Sequence, residues 1–141
     1  VEPNTSSHHA FCSIDILPTV CDLTGTKLPE NEVDGKNVWS WITHKPDAKN
    51  PQEYYPFSNG SDFQGVISAD GKWKLHLPHR YRIVEKGGKD GLPGKYAHPK
   101  VDTSLFDMVH DPYEKGNVLN QYPEVATELI DFAEKHQEKF Y

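Results

Sequence analysis

Between Gln64 and Arg82 the sequence gathers Lys74, His76, His79, Arg80, Tyr81 and Arg82. Ammonium, imidazole and guanidinium groups donate charge-assisted hydrogen bonds to anions, and a tyrosine ring can stack on a sugar or another ring. This chemistry grips a substrate and does not break a bond. His76-x-x-His79 has a spacing that could hold a metal, but no Cys or acidic residue stands at ligand spacing, so zinc is not expected. In the competing reading, Arg80 and Arg82 pair with local acids such as Glu85 on the surface, which stabilises little.

A self-sufficient active site is not legible. No Gly-x-Ser-x-Gly occurs, and the Gly/Lys-rich segment after Arg82 lacks the spacing that cradles phosphate. Cys12 and Cys21 precede Ser-Ile-Asp and Asp-Leu-Thr, neither a reactive context. Nine helical residues apart, they would be separated by roughly 13 Å, too far for a disulfide, so buried thiols are expected. His8-His9 reads as loop.

Charge narrows the ligand. Over 141 residues the net charge is −6, which argues against a general nucleic-acid binder. From Ser68 to Lys100, however, eight Lys/Arg face three Asp/Glu. A basic segment on an acidic chain suits a small anionic substrate better than a polyanion. No apolar run approaches the ~18 residues that span a bilayer. There is neither a signal peptide nor an initiating Met, so the chain start and the gene start are expected to differ.

The elements that position the basic residues follow from pattern. Asp70-Gly71 signals a two-residue type I′ hairpin with positive φ at both residues. Ser68 then faces Trp73 and Val66 faces Leu75. Trp73, Leu75, Leu77 and Val66 form the core face, while Lys72, Lys74 and His76 point the other way. Pro78 ends the strand, and His79 to Arg82 leave the sheet as a basic tip. Upstream, Val1 to His9 is loop. Ser13 to Gly25 is a helix capped by Ser13 or Asp15, with Leu17, Val20, Cys21 and Thr24 at helical spacing and Gly25 at C′. Val38 to Ile42 is a short apolar element, and Lys45 to Gln52 a linker. Glu53 to Ser58 is an aromatic strand that Pro56 confines to an edge. Ile83 to Lys100 reads as a long loop and Thr103 to Met108 as a strand. His110 to Asn117 is a turn in which Gly116-Asn117 take positive φ. Pro123 starts a last helix whose stripe is Val125, Leu129, Phe132, Ala133, His136 and Phe140. The expected fold is α+β: an antiparallel sheet of about four strands packed against the C-terminal helix. The helix at Ser13 to Thr24 has no evident partner in the chain.

The order of these motifs resembles the C-terminal part of a type I sulfatase of the alkaline phosphatase superfamily. The residues that carry the resemblance are Ser13-Ile-Asp-Ile-Leu-Pro-Thr19 with Leu23 and Gly25, Leu28-Pro29, Asp34-Gly35, and Asp70-Gly-Lys-Trp-Lys-Leu-His76. Leu105-Phe-Asp107, Asp111-Pro112-x-Glu114-x-x-Asn117 and the helix after Pro123 follow in the same order. Leu77-Pro-His-Arg-Tyr-Arg82 looks most like bacterial sulfatases acting on sulfated carbohydrates. The resemblance implies that residues 1–52 end a large catalytic α/β domain and that 53–141 form the C-terminal subdomain. It implies an extracytoplasmic location and substrate contacts from Lys74, His76, His79, Arg80 and Arg82. Partners would be the N-terminal catalytic domain of the same polypeptide and a sulfated carbohydrate, with no nucleic acid and no membrane.

The chain departs from the family pattern where the chemistry resides. Neither cysteine fits the Cys/Ser-x-Pro/Ala-x-Arg motif that yields formylglycine, and the calcium-binding Asp pair and Asp-Asn pair belong upstream of this region. Calcium and formylglycine are therefore expected in the N-terminal domain, no catalytic or metal-binding residue is expected here, and the chain alone should be inactive. Alternatives are a non-catalytic binding module for anionic glycans, the tail of a related phosphoesterase, or a structural piece without a function of its own.

Overall fold

The computed structural model describes residues 3–4, 6 and 10–141. The expectations for His8-His9, and for most of the Val1 to His9 loop, fall outside the described residues. The chain divides into two units: Val1–Tyr55 with Ile67–Trp73, and Pro56–Val66 with Lys74–Tyr141.

In the first unit, a single 3-10 turn at Ser13–Asp15 leads into α1 (Ile16–Thr24). Asp15 is fully buried and organises this end of the unit. Its carboxylate accepts the Cys12 N–H at 3.2 Å, so the expected cap acts backwards on the chain that precedes the helix. It also accepts the Lys36 N–H at 2.9 Å, the Gln52 amide at 2.7 Å and the Tyr55 hydroxyl at 3.2 Å. A charge this deep is tolerable only with such a full set of donors. Burial, together with the Asp15 charge, pushes the Tyr55 phenol up to about 12. The helix ends in a Schellman motif: Gly25, at φ +69°, donates to Asp22 C=O and Thr26 to Cys21 C=O. α2 (Trp39–Ile42) follows, with Val38 buried before it.

α1 is inverted relative to a helix of a self-contained domain. The side chains it buries are Pro18, Thr19 and Cys21. Leu17, Val20 and Leu23, on its apolar side, are 46–50% exposed, and Ile14 and Ile16 are exposed with them. Of the expected stripe, only Cys21 points inward. Both cysteines are free, and Cys12 is half-buried where a buried thiol was expected.

The central sheet has the order β1-β2-β3-β8 and is antiparallel: β1 (Tyr54–Asn59), β2 (Asp62–Ser68), β3 (Trp73–His76) and, later in the chain, β8 (Ser104–Asp107). Pro56 sits in the edge strand β1, as its missing N–H requires. The β2–β3 turn is not type I′. Only Gly71 has positive φ, +75°, and its N–H bonds to Ser68 C=O at 2.8 Å. Asp70 stays at negative φ, and its carboxylate accepts the Ser68 hydroxyl and the Lys72 N–H instead. The longer loop preserves the expected pairing, since the Leu77 N–H reaches Gln64 C=O at 2.8 Å. Gly65 is required by close approach, because a Cβ there would meet the Leu75 carbonyl oxygen at 2.0 Å.

Val66, Leu75 and Leu105 are fully buried, joined by Ala126, Leu129 and Ala133 of the C-terminal helix α3 (Pro123–Phe140). α3 lies against the sheet through His136, whose ring is 5.1 Å from that of Phe63 in β2. The helix stripe is centred closer to Ala126 than its spacing suggested, and Phe140 is exposed.

The stretch expected as loop is partly strand. Lys86 lies at the end of β5 (Ile83–Lys86), which pairs with β6 (Lys95–Ala97). His79 and Arg80 do not leave the sheet region freely. They form β4 (His79–Arg80), which pairs with β7 (Lys100–Val101). In the turn after β8, positive φ falls on Glu114 (+55°) and not on Gly116 or Asn117.

Candidate functional site

The second unit brings the expected residues to three different places. The first is a polar knot on β3. His76 is only 3% exposed, because Phe57, Tyr81 and Phe106 meet its ring edge-on at 5.3–5.7 Å and His79 stacks on it at 5.2 Å. Alternation correctly placed it on the face opposite Leu75. That face is covered at His76 by these rings.

At the centre of the knot is Glu114, from the turn that follows β8. Its carboxylate accepts Lys74 Nζ at 2.6 Å and His76 Nε2 at 2.8 Å, with the Tyr81 hydroxyl at 3.4 Å. Burial raises the Glu114 carboxyl, but Lys74 and His76 outweigh it, and the net shift is downward. Burial and then the Lys74 charge push the His76 imidazole below its ordinary value despite Glu114. The ring is therefore a neutral donor at Nε2, and its Nδ1 is buried without a hydrogen-bond partner among the described residues. Burial, then the Glu114 charge, raises the Tyr81 phenol. Lys74 and His76 thus grip an internal carboxylate.

The second place is a groove of about 370 Å³ lined by Asp62, His79, Arg80, Lys100 and Asp102. His79 is buried and donates Nδ1–H to the Leu77 carbonyl at 2.6 Å, which leaves Nε2 free of that bond. Arg80 is exposed. The third is the neighbouring ribbon, where the Arg82 guanidinium stacks 3.8 Å over Tyr96. Glu85 pairs with Lys95 at 2.7 Å and with neither arginine, so the surface-pairing alternative does not hold for it. Among the described residues, no cluster of three His, Cys, Asp or Glu side chains could hold a metal.

Sequence reading missed Glu114 and Lys100. Glu114 was visible only as part of the Asp111-Pro112-x-Glu114 turn, and its partners lie 38 and 40 residues away. Lys100 sat inside what read as loop.

No protein-family model matches the chain. It is nevertheless similar in sequence and fold to the C-terminal portion of sulfatases. It is 30% identical over 135 residues to an N-acetylgalactosamine-6-O-sulfatase of Bacteroides thetaiotaomicron, covering 95% of this chain and 24% of that protein. It is 26% identical to arylsulfatase A of Bos taurus, covering 88% and 25%. It is 30% identical to human arylsulfatase K, covering 82% and 20%. A structure from work on glycosaminoglycan metabolism by Bacteroides thetaiotaomicron aligns with TM-score 0.59 at 24% identity, over 88% of this chain and 24% of the other. The chain spans about a quarter of the length of the curated relatives it matches.

Proposed function

We propose that this chain is the C-terminal portion of an enzyme hydrolysing sulfate esters of carbohydrates, and that it completes the fold and borders the substrate cleft without supplying the nucleophile. The observation that carries this reading is the asymmetry of the match: nine-tenths of this chain against a quarter of each sulfatase. The exposed apolar side of α1 supports it, since Leu17, Val20 and Leu23 lack a cover among the described residues. An N-terminal catalytic domain of the same polypeptide is the partner that would bury them.

In this reading, calcium and formylglycine belong to that domain. The described residues of this chain fit neither: Cys12 and Cys21 lack the formylglycine motif, and no acidic cluster is present. The contribution of this chain would be substrate contact. His79 and Arg80, with Arg82 nearby, would meet the sugar or its anionic groups, and Lys74 and His76 would act within the Glu114 knot. A location outside the cytoplasm goes with the reading. No helix among the described residues is long and apolar enough to cross a membrane.

The test compares the full-length polypeptide with the 141-residue chain on a 6-O-sulfated N-acetylgalactosamine substrate, reading sulfate release. The reading requires release by the former and none by the latter. Release by the isolated chain, or none by the full-length polypeptide across a panel of sulfated sugars, contradicts it. In the second case, binding of the same sugars would favour a non-catalytic glycan module.

A further inference from the structure

The β4–β7 ribbon carries an arrangement that folding alone does not favour. Its register pairs Arg80 directly with Lys100, and His79 with Val101. Like charges directly opposite on an antiparallel pair repel and destabilise it. Neither residue makes an ion pair among the described residues, although every ion pair of the second unit lies elsewhere, at Glu114, Asp90, Glu85 and Asp107. The ribbon has only two residues on each strand, extended by the Tyr81 N–H bond to Pro99 C=O at 2.9 Å, so few contacts offset the repulsion. Violations of a local rule concentrate where function demands them.

The same two cations line the groove of about 370 Å³ with Asp62, Asp102 and the buried His79. Asp62 bonds the Gln64 amide at 3.1 Å and makes no ion pair with either cation. The groove thus offers two cationic donors side by side, two carboxylate acceptors and one imidazole. A polyanion meets repulsion from Asp62 and Asp102, and a neutral sugar leaves Arg80 and Lys100 facing each other.

The geometry points to this groove as a subsite for a sugar carrying one anionic substituent, a sulfate or a carboxylate. Arg80 and Lys100 bridge the anion, and Asp62 and Asp102 accept hydroxyls of the same ring. The inference deepens the sulfatase reading by naming a ligand class and by adding Lys100. The groove can nevertheless bind such a sugar whether or not the polypeptide cleaves it.

The test is lysine footprinting of the full-length polypeptide with an acylating reagent read by mass spectrometry. The probes are N-acetylgalactosamine 6-sulfate, which carries a single anionic group, and neutral N-acetylgalactosamine. With the sulfated probe at ten times its dissociation constant, acylation of Lys100 should fall about tenfold, because only about a tenth of the sites then remain open. Lys89, an exposed lysine outside the groove, should be unaffected, as should Lys100 with the neutral sugar. Arg80→Ala should remove the protection, and Arg80→Lys should restore part of it. Equal labelling of Lys100 with and without the sulfated probe overturns the subsite, as does protection that persists in Arg80→Ala. Protection without sulfate release leaves the subsite standing and removes the sulfatase reading. Sulfate release without protection does the reverse.

Discussion

Replacing Glu114 tests the polar knot most sharply, because three physical effects can be separated by choice of residue. Glu114→Ala removes the acceptor of two charge-assisted bonds, from Lys74 at 2.6 Å and His76 at 2.8 Å. Such bonds contribute about 1.5–3 kcal/mol each, but Lys74 is partly exposed and regains water. His76 does not, because it would be left buried with neither ring nitrogen paired. The expected loss is about 3 kcal/mol, or a melting temperature lower by roughly 12–24 °C for a unit of this size. Glu114→Gln keeps an acceptor oxygen and should lose about half as much. Glu114→Gly loses the knot as Ala does, but it also relieves the left-handed backbone at φ +55°, which costs a residue with a Cβ about 1 kcal/mol. The expected order of stability is therefore wild type, Gln, Gly, Ala, with Gly above Ala by about 1 kcal/mol. Urea unfolding of the four proteins reads this order. An Ala variant within about 0.5 kcal/mol of wild type would show that the knot contributes nothing beyond an ordinary surface position. An Ala variant as stable as the Gly variant would remove the backbone argument.

Further outcomes follow from the same structure. The knot should weaken on acidification. His76 is held below its ordinary value of 6.5, so stability is full above that pH and declines as pH falls below it. Glu114, lowered from 4.5, adds a second loss beneath that value, and a melting series from pH 8 to 3 that stayed flat between pH 6.5 and 4 would contradict this. Gly65→Ala forces a Cβ to 2.0 Å from the Leu75 carbonyl oxygen. It should cost about 3 kcal/mol or prevent folding, whereas circular dichroism melting close to wild type would mean that β2 and β3 are less tightly held than described. Tyr55 should ionise only near pH 12 in the ultraviolet titration, and Asp15→Asn should bring it closer to the ordinary tyrosine value of 10 by removing the adjacent charge. An unchanged Tyr55 titration in that variant would leave burial as the only cause.

The parts of the fold that sequence made legible are those specified locally. Gly25 stops α1 because only a residue tolerant of positive φ fits there, and Pro123 opens α3 because the first helical turn needs no N–H from it. Pro56 marks the edge of the sheet for the same reason. The pairing of Val66 with Leu75 followed from alternation, although the turn that sets it is longer than two residues. What failed depended on distant partners. His76 was placed opposite the core face by alternation, yet Phe57 of β1 and Phe106 of β8 cover it, which no local pattern announces. Glu114 carried no signal of its own beyond a turn motif. Ile83 to Lys100 read as loop because its glycines and prolines masked three short strands. The helix at Ser13 to Thr24 was legible as one lacking a partner, and its exposed Leu17, Val20 and Leu23 agree. The division of the anion-binding candidates between an internal knot and an open groove was visible only in three dimensions.

The most direct measurement is to read the coding sequence upstream of the Val1 codon. The account predicts a long open frame containing a Cys/Ser-x-Pro/Ala-x-Arg motif and an early pair of aspartates. A start codon close to Val1 would contradict it and leave a small glycan-binding module in place of an enzyme.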